Sequence, residues 1–456
     1  MSDSARDPYL ALRDPGYRRY ITGHFLSNVG RQALSAAAMW QIYQWTNSAT
    51  ALGLVGLVNV LPLLALALPA GALADRLDRR VIIHRSMLVS TALSVALVLV
   101  SYFHSSLPYP APLRAANGLL RSLALVFERQ VDPATLHFDN PALPLLLLIL
   151  FLHAVVRVLA NPARASLVPQ LLPASSLNNA ITWNTSLFEL STVAGPAMGG
   201  FLVAFGGYAA VYTLDVVFSL SLALIVVGLP VRNLQRPPAP AATGMMKGAS
   251  FIWRREPLLA ALSLDLFAVL LGGAVALLPI YADKILLVGP IGFGWLRAAP
   301  AIGAALAAIV STHLSPFRRP GVVTLWSVAG FGVAITVFSF STHYWLSFLA
   351  LFLSGVFDNV SVVIRHTMVQ LLTPDNLRGR VTAVNQVFIG CSNEISSLRA
   401  GLAAALLGPV TAAALGGLGI FAVTAFVARK WPALRQVPPL HTLQPEEDDP
   451  AEPAPT

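Results

Sequence analysis

The sequence predicts an all-α membrane protein, with twelve transmembrane helices arranged as two pseudo-symmetric six-helix bundles. Three observations point there. Of 456 residues, 56% are hydrophobic and 11% charged, whereas soluble domains carry about 25% charge. Apolar runs of roughly 18 residues or more, each able to cross about 30 Å of hydrocarbon as a helix, recur along the whole length. The second half of the chain also repeats short patterns of the first at fixed offsets.

In order, a polar N-terminal stretch leads into span one (20–46), which is too long for a signal-peptide core. Asn47 and Ser48 separate it from span two (49–70). Residues 71–80 carry Asp75, Arg76, Asp78, Arg79 and Arg80; such a charge cluster cannot stay in hydrocarbon and turns the chain at a membrane surface. Span three (81–103) is followed by a polar, Pro-rich segment, 104–141, read as an extracytoplasmic insertion. Spans four (143–160), five (177–205) and six (208–229) complete a first bundle, residues 1–231. Residues 232–256, rich in Pro, Ala and Arg, read as a cytoplasmic linker with room for a short surface helix. Spans seven to twelve (258–282, 293–312, 322–341, 344–365, 381–407 and 410–427) make a second bundle, 257–430. The tail 431–456 ends acidic and Pro-rich, and a disordered end is expected from residue 444.

An even number of spans returns both termini to one side. That side holds 22 of the 30 Lys and Arg, against 4 on the other and 4 within spans. The positive-inside rule therefore places both termini in the cytoplasm. The net charge of +9 belongs to a membrane face and implies no nucleic-acid partner. A single cysteine, Cys391, excludes intrachain disulfides and Cys-rich metal sites. No His-x-x-x-His pair or phosphate-binding loop is present, so no metal, cofactor or enzymatic activity is expected.

The repeat is specific. Ala180-Ile-Thr-Trp-Asn184 resembles Val381-Thr-Ala-Val-Asn385, and Gly200 matches Gly401, at an offset of 201. Gln41-Ile42-Tyr43 resembles Pro279-Ile280-Tyr281 at an offset of 238. The difference of 37 is the size of the segment 104–141, so an insertion in the first half reconciles the offsets.

Gly71-x-Leu73-x-Asp75-Arg76-x-x-Arg79-Arg80 resembles the hallmark cytoplasmic loop of the major facilitator superfamily, with Asp78 where the common pattern has Gly. The resemblance implies a conformational latch, in which Asp75 sits against the N-terminal end of helix eleven when the protein is closed to the cytoplasm. Gly195-Pro196-Ala-Met-Gly199-Gly200 resembles the superfamily's antiporter motif, which implies export. Its physical content is a Pro that removes one helix hydrogen bond and glycines that admit a neighbouring helix. Leu12–Tyr20, Asn161-Pro-Ala-Arg164, Asn376–Val381 and Ser392-Asn-Glu394 are similar to the branch containing enterobactin exporters and macrolide efflux proteins. A small-molecule substrate, a likeness covering residues 8–436 and no use of ATP follow from that resemblance.

Charges inside spans cost about 2.5–3.5 kcal/mol each on insertion scales, so they should face a cavity or one another. They are Arg31, Arg157, Arg297, Arg399, Glu189, Asp215, Asp265, Asp358 and Glu394. On span one, His24, Asn28, Arg31 and Gln32 fall within about a 100° arc and form one polar stripe. His153 and Arg157 lie one turn apart on span four, and the 201 offset sets Arg157 opposite Asp358, suggesting a cross-domain pair. Together with Asp265, Asn359 and Arg399, these are the cavity and substrate candidates. A carboxyl group in a site that opens alternately to two sides can carry a proton between them. The proton-coupling candidates are Glu394, then Glu189, then Asp358. The predicted function is a secondary active, proton-coupled exporter of a small amphipathic, siderophore- or drug-like molecule. It would act as a monomer in the bilayer of a bacterial inner membrane. A lysophospholipid-type flippase of the same fold and a non-transporting sensor remain alternatives.

Overall fold

The structure is a computed structural model and describes residues 7–230, 243–313 and 317–443. The first part of the expected linker, 232–242, and the expected disordered end of the tail lie outside the described residues. Among the described residues every regular element is a helix.

Helix α1 (Pro15–Thr46) is capped by Asp14, whose side chain accepts from the Tyr17 N–H at 2.8 Å. It stops at Asn47 in the left-handed region (φ 53°), a conformation Asn tolerates well. Ser48 caps α2 (Ala49–Arg76), and Asp78 caps α3 (Arg79–Tyr102) by accepting from the Arg80 N–H at 2.9 Å. The departure from the family pattern at Asp78 is thus an N-cap. Next come α4 (Ala111–Phe127), α5 (Ala142–Leu171) and α6 (Leu177–Val227). Helix α6 is 51 residues long and holds spans five and six; its one non-helical residue is Gly207 (φ 70°, ψ −177°), where only glycine reverses the chain without strain.

Helices α7 (Thr243–Arg254) and α8 (Glu256–Gly272) begin the second half. Span seven is not continuous: α8 stops at Gly273, and the chain continues through a short 3-10 turn, α9 (Leu278–Ile280) and a π turn to Ile285. Helices α10 (Gly289–His313), α11 (Pro320–Phe340), α12 (Tyr344–Leu372), α13 (Asp375–Leu407) and α14 (Pro409–Lys430) follow.

Nine stretches are long and apolar enough to cross a membrane among the described residues. One, Ala174–Val227, is 54 residues long, enough for two passes. Helices α1 and α13, with 32 and 33 residues, are long enough but carry the polar stripe and the buried charges. Helices α5, α12 and α13 extend several residues past the apolar runs that announced them. Once a helix leaves hydrocarbon its backbone stays paired while polar side chains meet water, so hydropathy misses its last turns. The segment 104–141 is also more than a polar loop, because it contains the amphipathic helix α4.

The helices pack as two groups, α1–α6 and α8–α14, joined by α2 against α13 and by α6 against α10. One buried apolar cluster includes Ala37, Leu52, Leu146, Tyr281, Phe293 and Ala404 and so runs through both groups. A second, with Tyr17, Tyr20, Ile83, Leu167 and Leu222, is confined to the first group at the end bearing the N-terminus. The halves share a core at the end away from the termini. At the terminal end they do not.

Candidate functional site

Small residues make the shared end close. A Cβ on Gly53 of α2 would stand 3.0 Å from the Leu398 carbonyl oxygen and 3.2 Å from Gly401 Cα. One on Gly200 of α6 would meet Gly294 Cα of α10 at 3.0 Å, and Trp40 stacks on Phe293 with ring centroids 5.2 Å apart. Backbones approaching this closely exclude any side chain. In the antiporter-like motif, Gly195 and Gly199 face Val29, Gln32 and Ala33 of α1 and fit α6 to α1 within one half, while the Pro196 carbonyl and Gly200 face Gly294 of α10 and join the halves. At the opposite end no atom lies within 4 Å of the Cβ positions of Gly71 or Gly379.

Between these ends lies a cavity of about 590 Å³ lined by both halves. Of the sequence candidates, Arg31, Gln32, His153, Arg157, Asp358 and Glu394 line it. The cross-domain pair is not the expected one. Arg157 Nη2 meets Glu394 Oε1 at 3.4 Å, joining α5 to α13, whereas the charges that act on Asp358 are those of Asp265, Arg365 and Glu189. Pseudo-symmetry relates equivalent positions, and it does not require that they touch. At that length and with 30% and 21% of the side chains exposed, the pair contributes about 0–1 kcal/mol, so it can open at small cost.

Six candidates stand outside the cavity. Asp265 pairs with Arg365, an ion pair between α8 and α12 with both side chains buried. Arg365 stands at the last position of span ten and Arg164 beyond the end of span four, yet Arg365 is buried inside α12 and Arg164 lines the cavity, because α12 and α5 continue past the apolar runs. Arg399 is bound to backbone: its Nε donates to the Leu270 carbonyl at 2.8 Å and its Nη2 to that of Leu271 at 2.6 Å. Ser396 Oγ donates to the Val269 carbonyl at 2.7 Å and accepts from the Gly273 N–H at 3.1 Å. The carbonyls freed where α8 stops are thus taken up by α13, which lets the break exist at membrane depth. Asn359 Oδ1 is buried with no hydrogen-bond partner, and Glu189 is half-buried on α6.

His24 and Asn28 also lie behind the cavity wall. His24 stacks on Tyr20 at 5.6 Å, its Nε2 is 3.2 Å from Asn28 Nδ2, and Asn28 Oδ1 accepts from Arg31 Nη2 at 3.2 Å. The stripe is therefore a bracket behind Arg31. Three lining groups were not among the site candidates. Asp215 accepts from Ser94 Oγ at 2.6 Å, and Ser94 lies 3.4 Å from His153 Nε2. Arg297 of α10 reaches across to Ser35 Oγ of α1 at 3.0 Å, and Arg164 Nη2 lies 3.3 Å from Met87 Sδ. Asp215 and Arg297 were legible as charges within spans, but nothing in the sequence says which side of its helix faces the cavity.

In the latch loop, Arg80 donates to Asp78 Oδ2 at 3.0 Å and to the Leu229 carbonyl at 3.2 Å, tying α3 to the end of α6. The Arg80 guanidinium holds the Asp78 carboxyl below the usual carboxylate range. Arg76 is exposed and Arg79 half-buried. The side chains of Asp75 and His313 lie outside the described residues.

The family model described as the Major Facilitator Superfamily matches residues 20–388 and 275–455. The chain is 26% identical over 445 residues to the enterobactin exporter EntS of Escherichia coli (strain SMS-3-5 / SECEC), covering 95% of this chain and 96% of that protein. It is 25% identical over 418 residues to the enterobactin exporter EntS of Shigella boydii serotype 18, covering 91% of each. Among solved structures, a bacterial homologue of the iron transporter ferroportin in an inward-facing state matches with a TM-score of 0.64 at 15% identity, over 92% of this chain and 98% of that one. A D-xylose–proton symporter matches with a TM-score of 0.63 at 12% identity, over 92% and 98%. These structures share the fold.

Proposed function

The chain belongs to the Major Facilitator Superfamily, a family of multi-pass membrane proteins that carry out secondary transport, and from that premise we propose a proton-coupled exporter of a small amphipathic molecule. The observation that carries this reading is the ion pair Arg157–Glu394, which joins the halves inside a cavity that is sealed at one end only. Alternating access requires the halves to rock about a mid-depth site. Twelve crossings, with bundles at 1–231 and 257–430 on either side of the linker 232–256 and the insertion 104–141 on the outer face, supply those halves. The positive-inside count supports cytoplasmic termini, so the open end faces the cytoplasm, in a bacterial inner membrane, and one chain suffices.

In this reading Glu394 is the proton carrier. Protonated, it no longer attracts Arg157, and the halves lose their central charge contact. Deprotonated, it re-forms the pair and favours the arrangement seen here. Glu189 and Asp358 are the second and third candidates. The relatives' cargo makes enterobactin the first substrate to test, with macrolides next. We expect Glu394→Gln in proteoliposomes to lose accumulation driven by a pH gradient while keeping exchange of cargo at equal pH. Unchanged pH-driven transport in Glu394→Gln and Glu189→Gln would refute the assignment.

A further inference from the structure

The cavity holds more positive charge than its own acids answer. Four arginines line it, Arg31, Arg157, Arg164 and Arg297, against Asp215, Asp358 and Glu394. Glu394 is paired with Arg157, and the charges that act on Asp358 are those of Asp265, Arg365 and Glu189, none of them a cavity arginine. The hydrogen-bond partners of the other three arginines are neutral: Asn28 for Arg31, Met87 for Arg164, and Ser35 with Met39 for Arg297. Nε of Arg31 and of Arg164 is buried with no hydrogen-bond partner. Asp215, close against Gly30, and Glu394 attract Arg31, and Glu394 attracts Arg297, but each carboxylate is already committed elsewhere, Asp215 to Ser94 and Glu394 to Arg157.

A half-buried cation with no ion partner is costly, and its guanidinium offers parallel N–H donors that fit an oxyanion in bidentate fashion. Arg31 and Arg164 belong to the first half and Arg297 to the second, so a bound anion would touch both. The remaining wall is apolar, with Leu52, Val55, Phe331, Ile335 and Leu351. The volume of about 590 Å³ is within the range of about 300–1,000 Å³ that holds small ligands. We infer that the site takes an anionic amphiphile, with a carboxylate or phosphate head between Arg31 of the first half and Arg297 of the second, Arg164 of α5 adding positive charge further along α1, and an apolar body against the apolar part of the wall. The anion supplies the charge that the empty cavity lacks and bridges the halves. The inference rests on reading this cavity as the substrate site.

Full-length protein in nanodiscs of zwitterionic lipid, titrated calorimetrically with 2-naphthoate, 2-naphthamide and 2-naphthylmethylammonium, separates head-group charge from apolar body. We expect the carboxylate to bind at least about tenfold tighter than the amide and the ammonium to bind weakest. Arg297→Gln should erase that preference, while Arg297→Lys, which keeps the charge, should retain most of it. Equal affinity for carboxylate and amide, or tighter binding of the ammonium, would overturn the inference and leave the Glu394 transport assay standing. Binding of none of the three by protein of unchanged melting temperature would overturn the cavity as the substrate site and the inference with it. Adding lysophosphatidate to the nanodiscs distinguishes the source of the head group. Competition points to a lipid, and its absence to a soluble anion; either result, with the carboxylate preferred, supports an anionic ligand.

Discussion

Arg365 and Asp265 show how much one buried charge depends on its partner. Removing one member of such a pair leaves an uncompensated ion, so Asp265→Ala should lower stability by about 3–5 kcal/mol, while replacing both by apolar residues of similar volume should be near neutral. Melting of detergent-solubilised single and double variants checks this. Asp78 is the milder case. Its carboxyl is held below the usual range by Arg80, so the stabilisation it contributes is present above the unfolded value of about 3.9 and is lost as pH falls through the lower folded value. The melting difference between wild type and Asp78→Asn should therefore stay constant from neutral pH down to about 5 and shrink below about 4.

At the scale of elements, two devices were hidden in segments that the sequence marks only as polar or apolar. The first is the break in α8, whose loose carbonyls are bound by Ser396 and Arg399 of α13. A Cβ at Gly273 would meet Ala400 Cβ at 2.8 Å and the Ser396 carbonyl oxygen at 2.9 Å. Gly273→Val and Arg399→Gln should both slow transport with little change in binding affinity, read as a fall in maximal rate in proteoliposomes. The second is the 104–141 insertion. Glu128 accepts from Ser48 Oγ at 2.7 Å and from the Thr50 N–H at 2.9 Å at the start of α2, where a carboxylate suits the helix N-terminus. The next residue, Arg129, donates its N–H to the Ala405 carbonyl of α13 at 3.0 Å. Consecutive residues thus hold both halves at the closed end. In a Cys391→Ser background with Ala38→Cys in the cavity, Glu128→Ala should raise labelling by an impermeant thiol reagent from the outer side several-fold.

For the whole molecule, the close packing of Gly53 against Gly401 makes closure of one end possible, since neither helix presents a side chain there. Gly401→Leu should hold that end apart and shift the population outward. Labelling of Ala38→Cys from the cytoplasmic side should fall, labelling from the outside should rise, and transport should stop.

Composition, apolar runs and the internal repeat were enough for the fold, because a bilayer leaves few ways to satisfy a buried backbone and long helices state their presence in hydropathy alone. The polar stripe of α1, Arg157 and Glu394 were legible as costly charges for the same reason. Hydropathy carries no information on rotation about a helix axis or on which helix stands opposite. From the sequence, Arg157 is therefore set against Asp358, Arg164 falls beyond the end of span four, and Arg399 is assigned to the cavity. Tertiary packing alone decided that Arg157 meets Glu394, that Arg399 binds backbone, and that Arg31, Arg164 and Arg297 face one space with no carboxylate of their own. Pairing between charges falls steeply with distance and dielectric, and only the packed helices set both.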